Sequence, residues 1–235
     1  MIDEIQKAPR EMREMLENVY SYNSQFIKNE EQDKLLEKII LAMSIVDRKF
    51  FVSENYYLDI ALPIEEEQTI SQPSTVARML VLAEIKKGDS VLEVGAGSGW
   101  NASLIAFFVY PEKVHSIDIF QKLIDKAREN FSKATRALEK EKIMLNVNFS
   151  LNSIFEYSGR KFDKIIITAG IVNETQEKLI EKIALKFLKN KGILVCPRTL
   201  GKIIIFKKNK KLETEETKEE YVFVPLLSEK EAKHI

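Results

Sequence analysis

The feature that most constrains the fold is an apolar run that ends in three alternating glycines. Residues 91–100 read VLEVGAGSGW, with glycine at Gly95, Gly97 and Gly99, and a helical pattern follows. Glycine lets the backbone turn tightly and lets a ligand approach it closely, and the first turn of a helix presents unpaired N–H groups. The spacing differs from the G-x-G-x-x-G of dinucleotide folds and from the P-loop. We therefore expect a strand, a ligand-binding loop and a helix here.

The rest of the C-terminal two thirds alternates short apolar runs with amphipathic patterns. The helical patterns cover residues 101–109, 121–140 and 176–189. The apolar runs are residues 90–94, 113–117, 146–150, 164–168, 193–196, 203–206 and 221–224. This alternation predicts an α/β fold, a three-layer sandwich with about seven mostly parallel strands and helices on both faces. The last two runs are joined only by the polar residues 207–218, which predicts a C-terminal antiparallel hairpin.

The N-terminal third has a different pattern. Residues 10–20 and 33–46 carry apolar side chains at helical spacing, residues 50–73 resemble a loop with short extended pieces, and residues 74–83 are again helical with Ser74 as a possible N-cap. We expect one domain over residues 1–235. Within it, residues 1–75 form a helical extension that carries part of the site, and residues 76–235 form the core.

Composition excludes several kinds of site. The 36 basic and 36 acidic residues balance, which disfavours a strongly basic nucleic-acid binder. One cysteine, Cys196, and two histidines, His115 and His234, are too few for a disulfide framework, a cysteine-rich metal site or a histidine-based triad. We expect Cys196 and His115 to be packing residues. No signal peptide or membrane-spanning stretch is evident, so a cytoplasmic protein without membrane partners is expected.

An acidic residue follows the second strand of the predicted sheet. Asp118 stands 23 positions after Gly95, just past the end of the run at residues 113–117. A carboxylate there is placed to accept hydrogen bonds from two ribose hydroxyls. Asp118 alone would as readily cap a helix. Together with the strand and the glycine loop, it indicates a cofactor that carries a nucleoside.

The strand, glycine loop and acid resemble those of class I S-adenosylmethionine-dependent methyltransferases. Four further segments, in order, resemble the protein-L-isoaspartate O-methyltransferase family: VDRKFFV at residues 46–52, LPI at 62–64, EQTISQP at 67–73 and FVPL at 223–226. The resemblance covers about residues 33–227. It implies methyl transfer from S-adenosylmethionine, with S-adenosylhomocysteine as product, to the carboxylate of isoaspartyl residues in damaged proteins or peptides.

The resemblance also implies a set of site residues. Thr69 and Ser71 are assigned to catalysis, where they hold the substrate carboxylate. The substrate set is Thr69, Ile70, Ser71, Val224, Pro225 and Leu226. The cofactor set is Glu93, Gly95, Ala96, Gly97, Ser98, Gly99, Asp118, Ile119, Asn152 and Ser153. A carboxylate nucleophile is already ionised at pH 7 and needs alignment more than a general base, which agrees with the scarcity of histidine and cysteine.

The chain departs from the family pattern at several positions. Glu65, Glu66 and Glu67 replace a glycine-rich approach, Ser74 stands where histidine is common, and Asn152 replaces the aspartate of a G-D-G segment. Two alternatives therefore stay open: a related methyltransferase acting on another carboxylate or on RNA, and a non-catalytic protein that binds the same cofactor. Arg48, Phe51 and Trp100 are expected to serve the structure, and no oligomeric state is predicted.

Overall fold

The computed structural model describes residues 5, 7–228 and 231, so His234 lies outside the described part. The helices are α1 (Arg10–Ser24), α2 (Glu30–Ile45), α3 (Pro73–Leu82), α4 (Trp100–Val109), α5 (Gln121–Leu138) and α6 (Glu174–Phe187), with short 3-10 turns at Arg48–Phe50 and Glu139–Glu141. The strands are β1 (Leu62–Pro63), β2 (Thr69–Ile70), β3 (Val91–Val94), β4 (Val114–Asp118), β5 (Val147–Leu151), β6 (Phe162–Ile167), β7 (Leu188–Pro197), β8 (Leu200–Gly201), β9 (Ile203–Lys208), β10 (Leu212–Glu216) and β11 (Tyr221–Val222).

A seven-stranded sheet in the order β10-β9-β7-β6-β3-β4-β5 forms the centre of the molecule. The five strands from β7 to β5 are parallel, and β9 and β10 are antiparallel. Every residue of β3 is buried, as expected for a parallel strand covered on both faces. From β3 the chain proceeds first to β4 and β5 on one side and then to β6 and β7 on the other. Ligands of open α/β sheets bind at such a reversal, at the carboxyl ends of the strands. The predicted fold class is confirmed.

The C-terminal hairpin exists, but its second strand was assigned wrongly. The partner of β9 is β10, with Phe206 opposite Thr214, and β10 lies inside the stretch predicted to be a polar connection. Tyr221 and Val222 pair instead with β8. An edge strand such as β10 pairs through its backbone while its charged side chains face solvent, so no apolar pattern marks it.

The start of α3 also differs from the prediction. The N-cap residue is Gln72, and Pro73 occupies the first helical position, which proline favours because that N–H needs no intrahelical acceptor. Ser74 is buried, and both its backbone N–H and its hydroxyl donate to the carboxylate of Asp59. The N-terminus of α3 is therefore capped by Asp59, which lies in a loop 15 residues earlier. No local sequence pattern indicates this contact.

The core joins the N-terminal helices to the sheet. Met12 of α1, Leu36 of α2 and Leu80 of α3 belong to one apolar cluster with Val91 and Leu104. The opposite face of the sheet packs against α6. The residues expected to pack do so: Cys196 is fully buried, and the His115 ring lies edge-on to Phe162 at 5.8 Å between centroids. None of the helices in the described ranges has the length and apolarity needed to cross a bilayer.

Candidate functional site

A cavity opens at the carboxyl ends of β3, β4 and β6, where the strand order reverses. The end of the β1–β2 hairpin and the segment after β11 also line it. The predicted residues that line it are Thr69, Ile70, Ser71, Gly95, Ala96, Gly97, Ser98, Asp118, Ile119, Asn152, Val224, Pro225 and Leu226. Glu93, Gly99 and Ser153 do not line it. Three distant parts of the chain therefore meet at one cavity.

The glycine loop depends on close backbone contacts. Gly95 has φ +97°, and a Cβ at this position would lie 2.2 Å from Oγ1 of Thr168. Oγ1 of Thr168 lies within hydrogen-bond distance of the carbonyl oxygens of Val94 (3.0 Å) and Gly95 (2.9 Å). Gly99 has φ +86°, and its Cβ would lie 3.1 Å from the backbone oxygen of Ala127 in α5. Gly95 thus shapes the cavity wall, whereas Gly99 allows α4 to approach α5.

Asp118 faces the glycine loop from the end of β4. One carboxylate oxygen accepts a hydrogen bond from the N–H of Gly97 at 3.0 Å, and the other accepts one from the N–H of Phe120 at 3.1 Å. Burial raises the pKa of the carboxyl group, and these backbone N–H bonds oppose the rise. A carboxylate oxygen accepts more than one hydrogen bond. Asp118 is therefore held in place and still able to accept from a ligand in the cavity.

Behind the loop, the fully buried carboxylate of Glu93 belongs to a polar network. Glu93 accepts hydrogen bonds from Nδ2 of Asn101 at 2.8 Å and from the hydroxyl of Ser116. Burial raises the pKa of Glu93 to about 8, although both hydrogen bonds favour the charged form. Asn101 lines the cavity, and its Oδ1 atom is buried without a partner among the described residues. Glu93 therefore reaches the cavity through Asn101, which the sequence analysis had not singled out.

Asn152 and Ser153 differ in position. Asn152 lines the cavity, and its backbone N–H donates to the carbonyl oxygen of Asp118 at 2.9 Å. Ser153 is buried, and its hydroxyl oxygen accepts from the N–H of Phe155 at 3.3 Å. Ser153 therefore shapes the turn that presents Asn152.

Two residues with hydroxyl groups, Thr69 and Ser71, also line the cavity. Thr69 belongs to β2, which pairs with β1 (Pro63 opposite Thr69), and Ser71 follows directly. Within the described residues, neither hydroxyl has a hydrogen-bond partner in the protein. An unpaired hydroxyl that lines a cavity is a donor available to a ligand.

Arg48 holds the segment that carries these hydroxyls. Its guanidinium is fully buried and donates to the carbonyl oxygens of Ser71 (3.2 Å), Tyr56 (3.2 Å), Leu58 (3.0 Å) and Ile60 (3.0 Å). Burial lowers the pKa of Arg48 to about 10, which leaves it charged at pH 7. The role of Arg48 is structural, as expected from the sequence.

The three glutamates of the β1–β2 turn do not line the cavity. Glu66 forms an ion pair with Lys122 at 2.6 Å. Glu66 and Glu67 have φ values of +58° and +55°, the left-handed region in which glycine is least strained. A glycine-rich sequence would suit this turn, and here glutamates adopt the same backbone.

The chain matches, over residues 21–231, the profile of the family described as Protein-L-isoaspartate(D-aspartate) O-methyltransferase (PCMT). The chain belongs to this family. Proteins named protein-L-isoaspartate O-methyltransferase from Fervidobacterium nodosum and Thermococcus sibiricus are 38% and 39% identical to this family member. The first alignment covers 68% of the chain and 77% of the relative, and the second covers 77% and 79%.

Solved structures share the fold of this protein-L-isoaspartate O-methyltransferase family member. A Plasmodium falciparum structure described as a protein-L-isoaspartate O-methyltransferase in complex with S-adenosyl-L-homocysteine aligns with a TM-score of 0.72 at 21% identity, covering 91% of this chain and 97% of that one. A second structure with the same protein name aligns with a TM-score of 0.69 at 22% identity, and the alignment covers 91% of this chain and 66% of that one. At this identity the likeness establishes the fold.

Several residues of the family member's cavity were missed from the sequence. Gln68, Asn101 and Thr168 are the polar ones, and the others are apolar: Val76, Val94, Phe120, Leu123, Ile154, Ala169 and Leu227. A signal existed for Thr168, because it follows a strand that pairs in parallel with β3 and the carboxyl ends of such strands meet at the site. Trp100 also lines the cavity, but it is 1% exposed and its indole N–H donates to the carbonyl of Val46 at 2.9 Å. Packing is thus the main role of Trp100, as expected.

Proposed function

We propose that this protein transfers a methyl group from S-adenosylmethionine to the carboxylate of L-isoaspartyl residues in damaged proteins or peptides. The observation that carries the proposal is the shared cavity: the unpaired hydroxyls of Thr69 and Ser71 face the same space as Asp118 and the glycine loop. Relatives at 38% and 39% identity carry the name of this activity. The proposal extends that activity to this chain.

The cavity residues fit an adenosyl cofactor with an amino-acid tail. Asp118 would accept hydrogen bonds from the ribose hydroxyls, Asn152 would face the adenine, and the loop of residues 95–98 would line the tail. The buried Oδ1 of Asn101, unpaired in the described part of the chain, offers an acceptor to an ammonium group. When bound, the cofactor supplies an electrophilic methyl group on a sulfonium. The P. falciparum protein was solved with the demethylated form of this cofactor.

The residues of this chain would orient the substrate carboxylate. An isoaspartyl carboxylate is ionised at pH 7, so its proton needs no removal. The hydroxyls of Thr69 and Ser71 would donate to one carboxylate oxygen and leave the other free to attack, and alignment of this kind lowers the barrier of a bimolecular step. Val224, Pro225 and Leu226 would close the peptide side of the cavity. We also propose that residues 1–75 and 76–235 act as one domain, because both contribute to this site.

A direct test compares two peptides that differ only at one linkage. The full chain is incubated with methyl-labelled S-adenosylmethionine and a peptide containing either an L-isoaspartyl or an L-aspartyl residue. We expect label on the isoaspartyl peptide alone, as a base-labile methyl ester. Equal labelling of both peptides, or of neither, would contradict the proposed function.

A further inference from the structure

Two large apolar side chains are exposed side by side next to the site. Leu200 of β8 is 75% exposed, Val222 of β11 is 80% exposed, and the two are direct partners in the antiparallel pair. Single exposed apolar residues are ordinary, whereas adjacent ones form a patch that favours contact with another molecule. We call Leu200 and Val222 the apolar lip.

The apolar lip lies on the same face as the cavity. Side chains alternate along an extended segment: Tyr221 and Phe223 are each 8% exposed and belong to the core, whereas Val222 and Val224 project to the other side. Val224 lines the cavity. A surface groove connects the lip to the cavity, and the residues that line both groove and cavity are Thr69, Ser71, Thr168 and Val224. A ligand that leaves the cavity through this groove passes over the lip.

The groove is bordered by a backbone edge that is partly free. The N–H of Phe223 donates to the carbonyl of Thr199 at 2.9 Å. Because alternate residues of an antiparallel pair direct their N–H and C=O groups to the partner, those of Val222 point to the opposite edge. The N–H of Val224 has no acceptor among the described residues. The carbonyl oxygen of Val224 accepts a hydrogen bond from the N–H of Gly170 at 2.7 Å. The groups left for an extended peptide are therefore the N–H and C=O of Val222 and the N–H of Val224.

The charge of the groove disfavours a nucleic acid. Among the described residues that line the groove there is no lysine or arginine, and Glu220 is one of them. Nucleic-acid affinity depends on basic side chains at the phosphates. A polypeptide with an apolar side chain satisfies both features of the groove, the partly free edge and the lip.

We propose that the apolar lip binds an apolar side chain next to the isoaspartyl residue of the substrate, with the substrate chain extended along residues 222–224. The proposal rests on the proposed function. It makes Leu200 and Val222 determinants of substrate specificity: they select which damaged sites in a protein are methylated most efficiently, without contacting the reacting carboxylate.

The test measures methyl transfer by the full chain to isoaspartyl peptides that carry leucine or serine at each flanking position in turn. At one flanking position or more, we expect kcat/KM to be about fivefold higher for the leucine peptide than for the serine peptide, through a lower KM. Partial burial of a leucine side chain strengthens binding by about this factor. In Leu200→Ser and Val222→Thr the leucine-to-serine ratio at that position falls below about two. Threonine keeps the β-branched shape that suits a strand.

A matched control is Leu185→Ser, which replaces a leucine that is 47% exposed on α6 and does not line the groove; it should keep the fivefold ratio. Equal rates for all flanks in the unaltered protein would overturn the proposal. The proposal would also be overturned if both lip variants kept the leucine-to-serine ratio of kcat/KM, or if they lost kcat/KM equally on the leucine and serine peptides. Failure to methylate any isoaspartyl peptide would instead reject the proposed function, so the two failures are distinguishable.

Discussion

At the scale of single residues, the proposed function assigns Asp118 to the cofactor and Ser71 to the substrate, although both line one cavity. Asp118 accepts a hydrogen bond from the glycine loop, and the hydroxyl of Ser71 has no hydrogen-bond partner among the described residues. Residues that contact different ligands should affect different kinetic constants when each is altered by itself. The two assignments are therefore measurable.

The first prediction contrasts these two residues. Asp118→Ala should weaken cofactor binding by about 1.5–3 kcal/mol for each charge-assisted hydrogen bond lost, whereas Ser71→Ala should lower turnover with little change in cofactor affinity. Calorimetric titration of S-adenosylhomocysteine and steady-state kinetics measure the two effects. Asp118→Asn, which keeps one acceptor oxygen, is the control and should lose less than the alanine variant. Equal cofactor affinity in Asp118→Ala and the unaltered protein would mean that the ribose contact is misplaced.

The second prediction concerns the buried Glu93. Its pKa is raised by burial to about 8 in the folded protein, above the value near 4.3 expected in an unfolded chain. The folded state therefore binds the proton more tightly, so this contribution to stability is present at low pH and is lost as pH rises from about 4.5 to 8.

Glu93→Gln should flatten the pH dependence of stability in that window, because a neutral amide can keep the contacts to Asn101 and Ser116 without titrating. Urea denaturation at several pH values measures it. Glu67→Gln alters an exposed position in the β1–β2 turn and is the control. In this variant the free energy of unfolding should change with pH as it does in the unaltered protein. If Glu93→Gln leaves the pH dependence of the free energy of unfolding unchanged, Glu93 does not titrate in this range.

At the scale of elements, the β1–β2 hairpin is too short to hold its own position. Each of its strands has two residues, and isolated hairpins are marginally stable in water. Arg48 supplies the missing order by binding four backbone carbonyls, one of them that of Ser71. The position of Ser71 therefore depends on a residue outside the hairpin.

The third prediction follows from this arrangement. Arg48→Met should cost at least about 3 kcal/mol, because it leaves several buried carbonyls unpaired at about 1–3 kcal/mol each, and surviving enzyme should show a raised KM for the peptide. Arg48→Lys keeps the positive charge but loses the planar guanidinium group. Its stability should lie between that of Arg48→Met and that of the unaltered protein. Lys49→Ala, which breaks an adjacent half-exposed ion pair with Asp47, should change stability by less than about 1 kcal/mol. Unfolding by urea and peptide kinetics would decide between these outcomes.

At the scale of the whole molecule, one buried polar cluster joins the two ends of the described chain. Arg78 of α3 forms an ion pair with Glu219 at 2.7 Å, and both side chains are largely buried. The hydroxyl of Tyr221 donates to Glu219 at 3.1 Å, and the hydroxyl of Tyr22 in α1 donates to that of Tyr221 at 3.4 Å. The cluster ties the N-terminal helices to the strand that leads into residues 224–227, which line the cavity.

The fourth prediction uses a double-mutant cycle on this cluster. Glu219→Leu alone should cost about 3–5 kcal/mol, because it leaves the Arg78 charge buried and unpaired, and Arg78→Met alone should cost a similar amount, because Glu219 is then the unpaired charge. The combined variant Arg78→Met/Glu219→Leu should lose less, since it removes both charges and fills the space. Denaturant unfolding gives the coupling energy, and a sum of single effects equal to the double would argue against direct pairing.

The sequence predicted the site residues correctly as cavity-lining where the apolar pattern of the strands and the residue types at the strand ends indicate the same site. The glycines at Gly95 and Gly97 and the carboxylate of Asp118 were placed at one cavity because parallel strands end at the same edge of a sheet. Prediction from sequence failed for β10 because exposed charged side chains conceal a strand that pairs through its backbone. It failed for the cap of α3 because the capping carboxylate, Asp59, lies in a distant loop.

The sequence by itself determined the fold class, the glycine loop and the chemistry of the candidate site, since apolar periodicity and residue type are local properties of the chain. Only the tertiary structure decided that Glu93 is buried behind Asn101, that Arg48 holds Ser71, and that Leu200 and Val222 form an apolar lip beside the cavity. These relations join residues far apart in the chain. They depend on how helices and strands pack, which no local pattern contains.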